Sequence, residues 1–183
     1  LPKGDIGSHF TSFPAKEEAM LKRGQLGRKT GGGFYRVQKL SDGSKKKETF
    51  DLKSGNWRST LSIELDDKHN SLDMMLGNEI EANFAWHTMG GTLCYAADLV
   101  PQISDDVVNI DRAMRWGFAW GRGPFEMLDA IGPKRFIAKL KENNLSLANM
   151  LSVLEKSGES HFYRNNRTEY LGTDGQYHPT PPE

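Results

Sequence analysis

The triplet Phe-Tyr-Arg occurs twice in this chain, as Phe34-Tyr35-Arg36 and Phe162-Tyr163-Arg164, 128 positions apart. Each copy sits in the same local series. Leu21, Gly24, the triplet, Phe50, Gly55 and Trp57 are echoed by Leu154, Gly158, the triplet, Tyr170, Gly175 and Tyr177. Both series read as a helix end, a glycine stop, an aromatic strand, a second strand and a glycine turn before an aromatic residue. The spacing is that of a domain and too long for a solenoid repeat. Two copies of one domain are therefore expected: residues 1–58 hold only the tail of the first, residues 59–71 form a linker, and residues 72–183 hold the second copy complete. The helices missing from the first copy should leave an apolar face exposed, which favours self-association.

A length of 183 residues with 37% hydrophobic side chains is enough for one domain and part of another. Basic and acidic residues balance at 24 each, so no overall field steers the chain toward nucleic acid or an anionic membrane surface. No apolar run approaches the ~20 residues of a membrane span, and no basic-then-apolar signal opens the chain. A soluble chain with neither nucleic-acid nor membrane partners is expected. The single cysteine, Cys94, cannot form an intramolecular disulfide; between Leu93 and Tyr95 it reads as a helix-interior residue of a cytoplasmic protein. Leu1 opens a polar stretch without an initiator methionine, and the ends read as cut sites.

The first part alternates short elements. Pro14 to Arg23 reads as a helix with Met20 and Leu21 on one side and Gly24 as its stop. Phe34 to Val37 has strand character, Lys45 to Glu48 reads as a solvated charged segment, and Thr49 to Trp57 as strand, turn and strand. From Glu79 onward the chain is helical. Glu79 to Val100 reads as a central buried helix, apolar on nearly all sides, with Gly90-Gly91 allowing another backbone to approach. Ser104 reads as the N-cap of a helix ending at Gly117, with Val107, Ile110 and Met114 on its face. Short helices follow over Phe125 to Ile131 and from Pro133, the latter burying Phe136, Ile137 and Leu140. Ser146 is expected to cap a last helix, faced by Leu147, Leu151 and Leu154 and stopped by Gly158, ahead of a hairpin over Phe162 to Leu171.

Candidate motifs each have a plainer reading. Gly27 to Gly33 holds four glycines with Arg28 and Lys29, but it leads into a strand where a phosphate loop leads into a helix, so a structural turn is favoured. Gly121-Arg122-Gly123 lacks the preceding strand, third glycine and distant acid of a dinucleotide fingerprint. His87 could act as a base with Glu79, Glu81 or Asp98, but none stands three or four residues away, which favours a core or interface histidine. His9, His69, His161 and His178 lack ligand spacing, so no metal site is proposed. Asp105-Asp106 reads as a helix N-terminus and Trp116/Trp120 as a packed corner or subunit contact.

Taken together, Gln25-Leu26-Gly27-Arg28-Lys29-Thr30-Gly31-Gly32-Gly33-Phe34-Tyr35, Asn109-Ile110-Asp111-Arg112-Ala113-Met114-Arg115-Trp116-Gly117 and Gly123-Pro124-Phe125-Glu126-Met127-Leu128-Asp129-Ala130-Ile131-Gly132 resemble the C-terminal domains of 3-hydroxyacyl-CoA dehydrogenases. The resemblance covers nearly the whole chain. Its tandem arrangement is similar to the long bacterial forms that oxidise fatty acids, where two such domains follow a Rossmann domain. It implies a mainly α fold, a helical bundle of the 6-phosphogluconate dehydrogenase C-terminal type with small β-hairpins, acting in dimerisation and in closing over acyl-CoA. NAD and the catalytic His and Glu belong to the Rossmann domain, a partner outside this chain along with the rest of the first repeat. Trp86-His87 stands where the catalytic copy of the family has an Asn-Arg pair near substrate, which implies a structural repeat. No catalytic, cofactor-binding or metal residue is assigned. The alternative is a module binding acyl-CoA or a protein partner beside Trp86 and Gly90-Gly91.

Overall fold

A computed structural model describes residues 13–64, 67 and 71–182, and the chain separates into two units, residues 1–64 and residues 65–183. His9 and His69 lie outside the described residues.

In the first unit, helix α1 (Ala15–Lys22) starts directly after Pro14 and carries Glu17 and Glu18 in its first turn, where acidic side chains favour the positive end of the helix. The chain leaves the helix through Gly24 at φ +70°. Only Met20 of this helix is buried; Leu21, expected beside it, is exposed. Next come β1 (Tyr35–Lys39), β2 (Lys45–Asp51) and β3 (Asn56–Ser59), a three-stranded antiparallel meander in the order β1-β2-β3. Phe50 opposes Trp57 across the β2–β3 pair, with the rings edge-to-face at 5.3 Å. The segment Lys45 to Glu48 is half of β2; Lys45 and Lys47 are solvated as expected, and Glu48 is buried. Strand alternation turns Glu48 inward, where Lys46 and Arg36 pair with it at 2.9 and 2.7 Å and hold its carboxyl below the usual carboxylate range.

The second unit is mainly α-helical. A 3₁₀ turn (Leu72–Leu76) leads into one continuous helical stretch made of α2 (Ile80–Ala85), a π turn (Trp86–Gly90) and α3 (Gly91–Asp98). This stretch is one-sided, not apolar all round. Ala82, Trp86, Leu93 and Ala97 face inward, whereas Ile80 is 84% and Phe84 71% exposed. No second backbone approaches Gly90-Gly91. The Trp86 indole lies on Gly90, where a Cβ would meet it at 3.1 Å, and Gly91 faces open space.

Helix α4 (Val107–Phe118) starts one cap later than expected. Asp106, not Ser104, accepts the Asn109 N–H at 2.7 Å, while the Ser104 hydroxyl donates to the Asp106 carbonyl. It also runs through Gly117, because the left-handed residue that ends it is Ala119, at φ +55°. Helices α5 (Pro124–Ile131) and α6 (Pro133–Glu142) both begin with proline at a first-turn position. Phe136, Ile137 and Leu140 are buried as the periodicity predicts.

Helix α7 (Asn149–Ser157) takes its cap from elsewhere in the unit. Asp98, at the end of α3, accepts the Asn149 N–H at 3.2 Å, so Ser146 is not the cap. Gly158 ends α7 at φ +76°. A second meander follows, β4 (Tyr163–Arg164), β5 (Glu169–Leu171) and β6 (Tyr177–Pro179), in the order β4-β5-β6. The core gathers Leu93, Phe125, Leu128, Phe136, Leu154 and Phe162, one or more from almost every element.

Phe136 lies at the centre of this core with its ring 4.9 Å from that of Trp86. The Phe136→Ala variant is expected to lose about 4 kcal/mol of unfolding free energy, checked by urea denaturation followed through tryptophan fluorescence.

Candidate functional site

Three acidic side chains of α4 and α5 form the polar interior of the second unit. Asp111, 1% exposed, stands on the inward face of α4 with Val107 and Ile110. Its carboxylate lies under the start of α5 and accepts the N–H of Phe125 at 2.8 Å, the N–H of Glu126 at 3.1 Å and the Tyr163 hydroxyl at 2.9 Å. Glu126 accepts the N–H of Gly123 on one oxygen, and Arg115 and Arg167 at 3.2 and 2.6 Å on the other. Asp129, one helical turn beyond Phe125, accepts the N–H groups of Phe162 and Tyr163 at 2.7 and 2.8 Å. The turn carrying Arg167 to Glu126 has three successive residues at positive φ, Asn165, Asn166 and Arg167, a backbone held only where surrounding contacts determine it.

Every carboxylate oxygen of this cluster is occupied by a donor from the fold. Burial pushes the Asp111 carboxyl up to about 7, against the N–H groups and phenol that favour its charged form. Burial likewise takes Asp129 to about 6, against the Phe162 and Tyr163 amides. The Tyr163 phenol is driven upward by burial and by Asp111, so it remains a proton donor. A depression of about 280 Å³ beside the cluster is lined by Arg122, Glu126, Asp129 and Arg167 among others. Its two carboxylates each accept donors from the fold on both oxygens.

The residues singled out from the sequence are not brought together. His87 is exposed on the π turn, so it is not a core histidine. Trp86 is buried against Phe136 with the Lys139 ammonium 5.2 Å from its ring, and its indole lies on Gly90. Cys94 is partly buried, and its thiol is pushed up to about 11 by burial and by Asp98, which makes it a poor nucleophile. His161 contacts Ser160, and His178 contacts the Asp174 carboxylate at 3.0 Å. Trp116 is exposed with Arg112 over its ring, not packed in a corner. Gly27 to Gly33 is a closed turn, with Gly27 bridged to Gly32 and the Thr30 hydroxyl donating to the Gly27 carbonyl. Asp111 and Asp129 were not singled out. Their signal was available, since each stands on the apolar face of its helix, where an acid needs a buried partner.

The two meanders share their contacts. Arg164 pairs with Glu169 at 2.8 Å and lies 3.9 Å from the Tyr177 ring; Arg36 pairs with Glu48 at 2.7 Å and lies 4.3 Å from the Trp57 ring. The Leu171 N–H reaches the Phe162 carbonyl at 2.8 Å, and the Phe50 N–H reaches the Phe34 carbonyl at 2.8 Å. Four residues before the glycine that ends the preceding helix, Met20 and Leu154 are both buried. One difference separates them. Phe162 is fully buried under α5, whereas Phe34 is 49% and Tyr35 68% exposed beside a groove of about 700 Å³.

The chain is homologous to part of the 3-hydroxyacyl-CoA dehydrogenases of fatty-acid oxidation. A Bacillus subtilis (strain 168) protein with the provisional name 3-hydroxyacyl-CoA dehydrogenase is 30% identical over 176 residues, 90% of this chain and 22% of that protein. Two proteins provisionally named fatty acid oxidation complex trifunctional enzyme are also similar. That of Rickettsia prowazekii (strain Madrid E) is 30% identical over 70% of this chain and 18% of its own length; that of Rickettsia felis (strain ATCC VR-1525 / URRWXCal2) is 31% identical over 61% and 15%. The chain thus spans about a fifth of the length of these curated relatives. No family model and no solved structure matches it.

Two outcomes follow from the cluster. A Cβ at Gly123 would lie 2.3 Å from the Asp111 Oδ1 and 2.4 Å from its Cα, so Gly123→Ala is expected to cost about 3 kcal/mol of stability, measured by denaturant unfolding. Between an ordinary aspartate value and about 7, folded Asp111 and Asp129 hold protons that the unfolded chain has lost. Stability should therefore fall as pH rises through that window. The melting temperature is expected to drop from about pH 5 to about pH 8, and an Asp111→Asn variant, less stable throughout, should show a flatter profile.

Proposed function

We propose that this chain is a C-terminal helical portion of an NAD-dependent 3-hydroxyacyl-CoA dehydrogenase, giving its parent packing and dimerisation surfaces while supplying no catalytic group. The parent oxidises 3-hydroxyacyl-CoA to 3-ketoacyl-CoA in the cytoplasm, and the nicotinamide and acyl-CoA sites lie in its Rossmann domain. The observation that carries this reading is the engagement of both oxygens of the Asp111, Glu126 and Asp129 carboxylates by backbone N–H groups, arginines and Tyr163. With two or three donors from the fold on each, these groups are held as structural acceptors. The matched contacts of the two meanders support a duplicated domain of which residues 1–58 are the tail of the first copy and residues 72–183 the second. Burial of Trp86, with its indole on Gly90, speaks against an acyl-CoA groove there.

The purified chain is expected to consume no NADH with acetoacetyl-CoA and to show no rise in melting temperature with either compound. Turnover would overturn the non-catalytic reading. A rise with acetoacetyl-CoA alone would assign a substrate surface to the second unit.

A further inference from the structure

We propose that the groove of the first unit is a docking site for a short amphipathic helix of the α5 kind, with an aromatic side chain in its first turn and a carboxylate four residues on. The second unit supplies the template. There α5 covers β4, Phe125 meeting Phe162 edge-to-face at 5.0 Å and Asp129 closing both the Phe162 and Tyr163 N–H groups. One helix thus provides both apolar cover and a cap for the strand entry.

The first unit has a related strand entry, closed at Gly33 by its N–H to the Tyr35 carbonyl and by Gln25, and without a covering helix among the described residues. The N–H of Phe34 has no acceptor among the described residues. Phe34 is bonded to Phe50 and Leu40 to Ser44, so antiparallel alternation aims the Tyr35 N–H out of the free edge of β1. The Tyr35 N–H, whose counterpart at Tyr163 is bound by Asp129, therefore stands open at this edge, and the neighbouring Phe34 N–H has no acceptor there. Beside them, Met20, Leu21, Leu26, Phe34, Tyr35 and Val37 line the groove of about 700 Å³. Arg28, Arg36 and Lys47 line it together with Glu17 and Glu48; with Glu48 already paired to Arg36 and Lys46, Arg28 and Lys47 against Glu17 leave a setting that favours an incoming carboxylate. An eight-residue helix, ~12 Å long, presents an aromatic ring and an acid at this spacing on one face.

The proposal rests on the duplicated-domain reading, because the cover of one unit is taken as the template for the other. The test uses the full chain, isotope-labelled on nitrogen and followed by NMR during titration with a capped synthetic peptide of residues 121–132. Progressive shifts of the Phe34 and Tyr35 amide resonances are expected. Peptides carrying Asp129→Asn or Phe125→Ala should bind at least about tenfold more weakly. The proposal is overturned if the two amides ignore millimolar peptide, or if the Asp129→Asn peptide binds equally well. It is also overturned if the same shifts arise from raising the protein concentration alone, which would make a second copy the occupant. Hydrogen exchange of the peptide-free chain separates the two levels. If the Phe34 and Tyr35 amides are protected without peptide, the units differ at this edge and the duplication reading falls too; if they exchange freely but ignore the peptide, only the docking proposal falls.

Discussion

The Asp111 carboxylate, held between the first turn of α5 and the Tyr163 hydroxyl, joins three elements distant in sequence. A helix N-terminus leaves backbone N–H groups without intrahelical partners, and in a buried setting each must find an acceptor. Asp111 answers two of them from α4 and leaves its remaining capacity to β4 through Tyr163. Gly123 is required at this junction because α4 passes too close for a side chain there. Burial raises the carboxyl toward neutrality while three donors favour its charge. Removing the carboxylate would strand those donors, which is the more costly side of a buried polar contact.

Asp129 repeats the principle at the other end of α5, capping the entry to β4 while Phe125 seals the same strand with apolar surface. Helix α5 thus serves as a clamp, fixed to α4 by one carboxylate and to the second meander by another. The first meander keeps the arginine-glutamate pair and the arginine-aromatic stack of the second. Those contacts are local to the meander and survive without a covering helix.

Much of this organisation was legible in the residues. The prolines at 124 and 133, the glycine at 158 and the periodic Phe136, Ile137 and Leu140 placed α5, the end of α7 and the inward face of α6, because fixed φ, positive φ and helical period are local properties. Of the misplaced caps, that of α4 moved locally to Asp106, and that of α7 had a non-local cause. Asp98 reaches Asn149 from α3 and takes the role expected of Ser146. Lys45 to Glu48 read as solvated because charge dominates its composition, yet pairing with β1 and β3 made it a central strand. Asp111 and Asp129 stand on the apolar faces of their helices, a signal the sequence carries, but the donors that satisfy them come from elements met only in the fold.

The sequence by itself determined the helical character of the second part, the positions of most turns and the likeness of the two Phe-Tyr-Arg series, all of which depend on residues close together in the chain. Only the tertiary structure decided which acids are interior and which Phe-Tyr pair is covered. The physical reason is that burial is a property of neighbours: Phe162 is core beneath α5, whereas Phe34 of the matching triplet is half exposed.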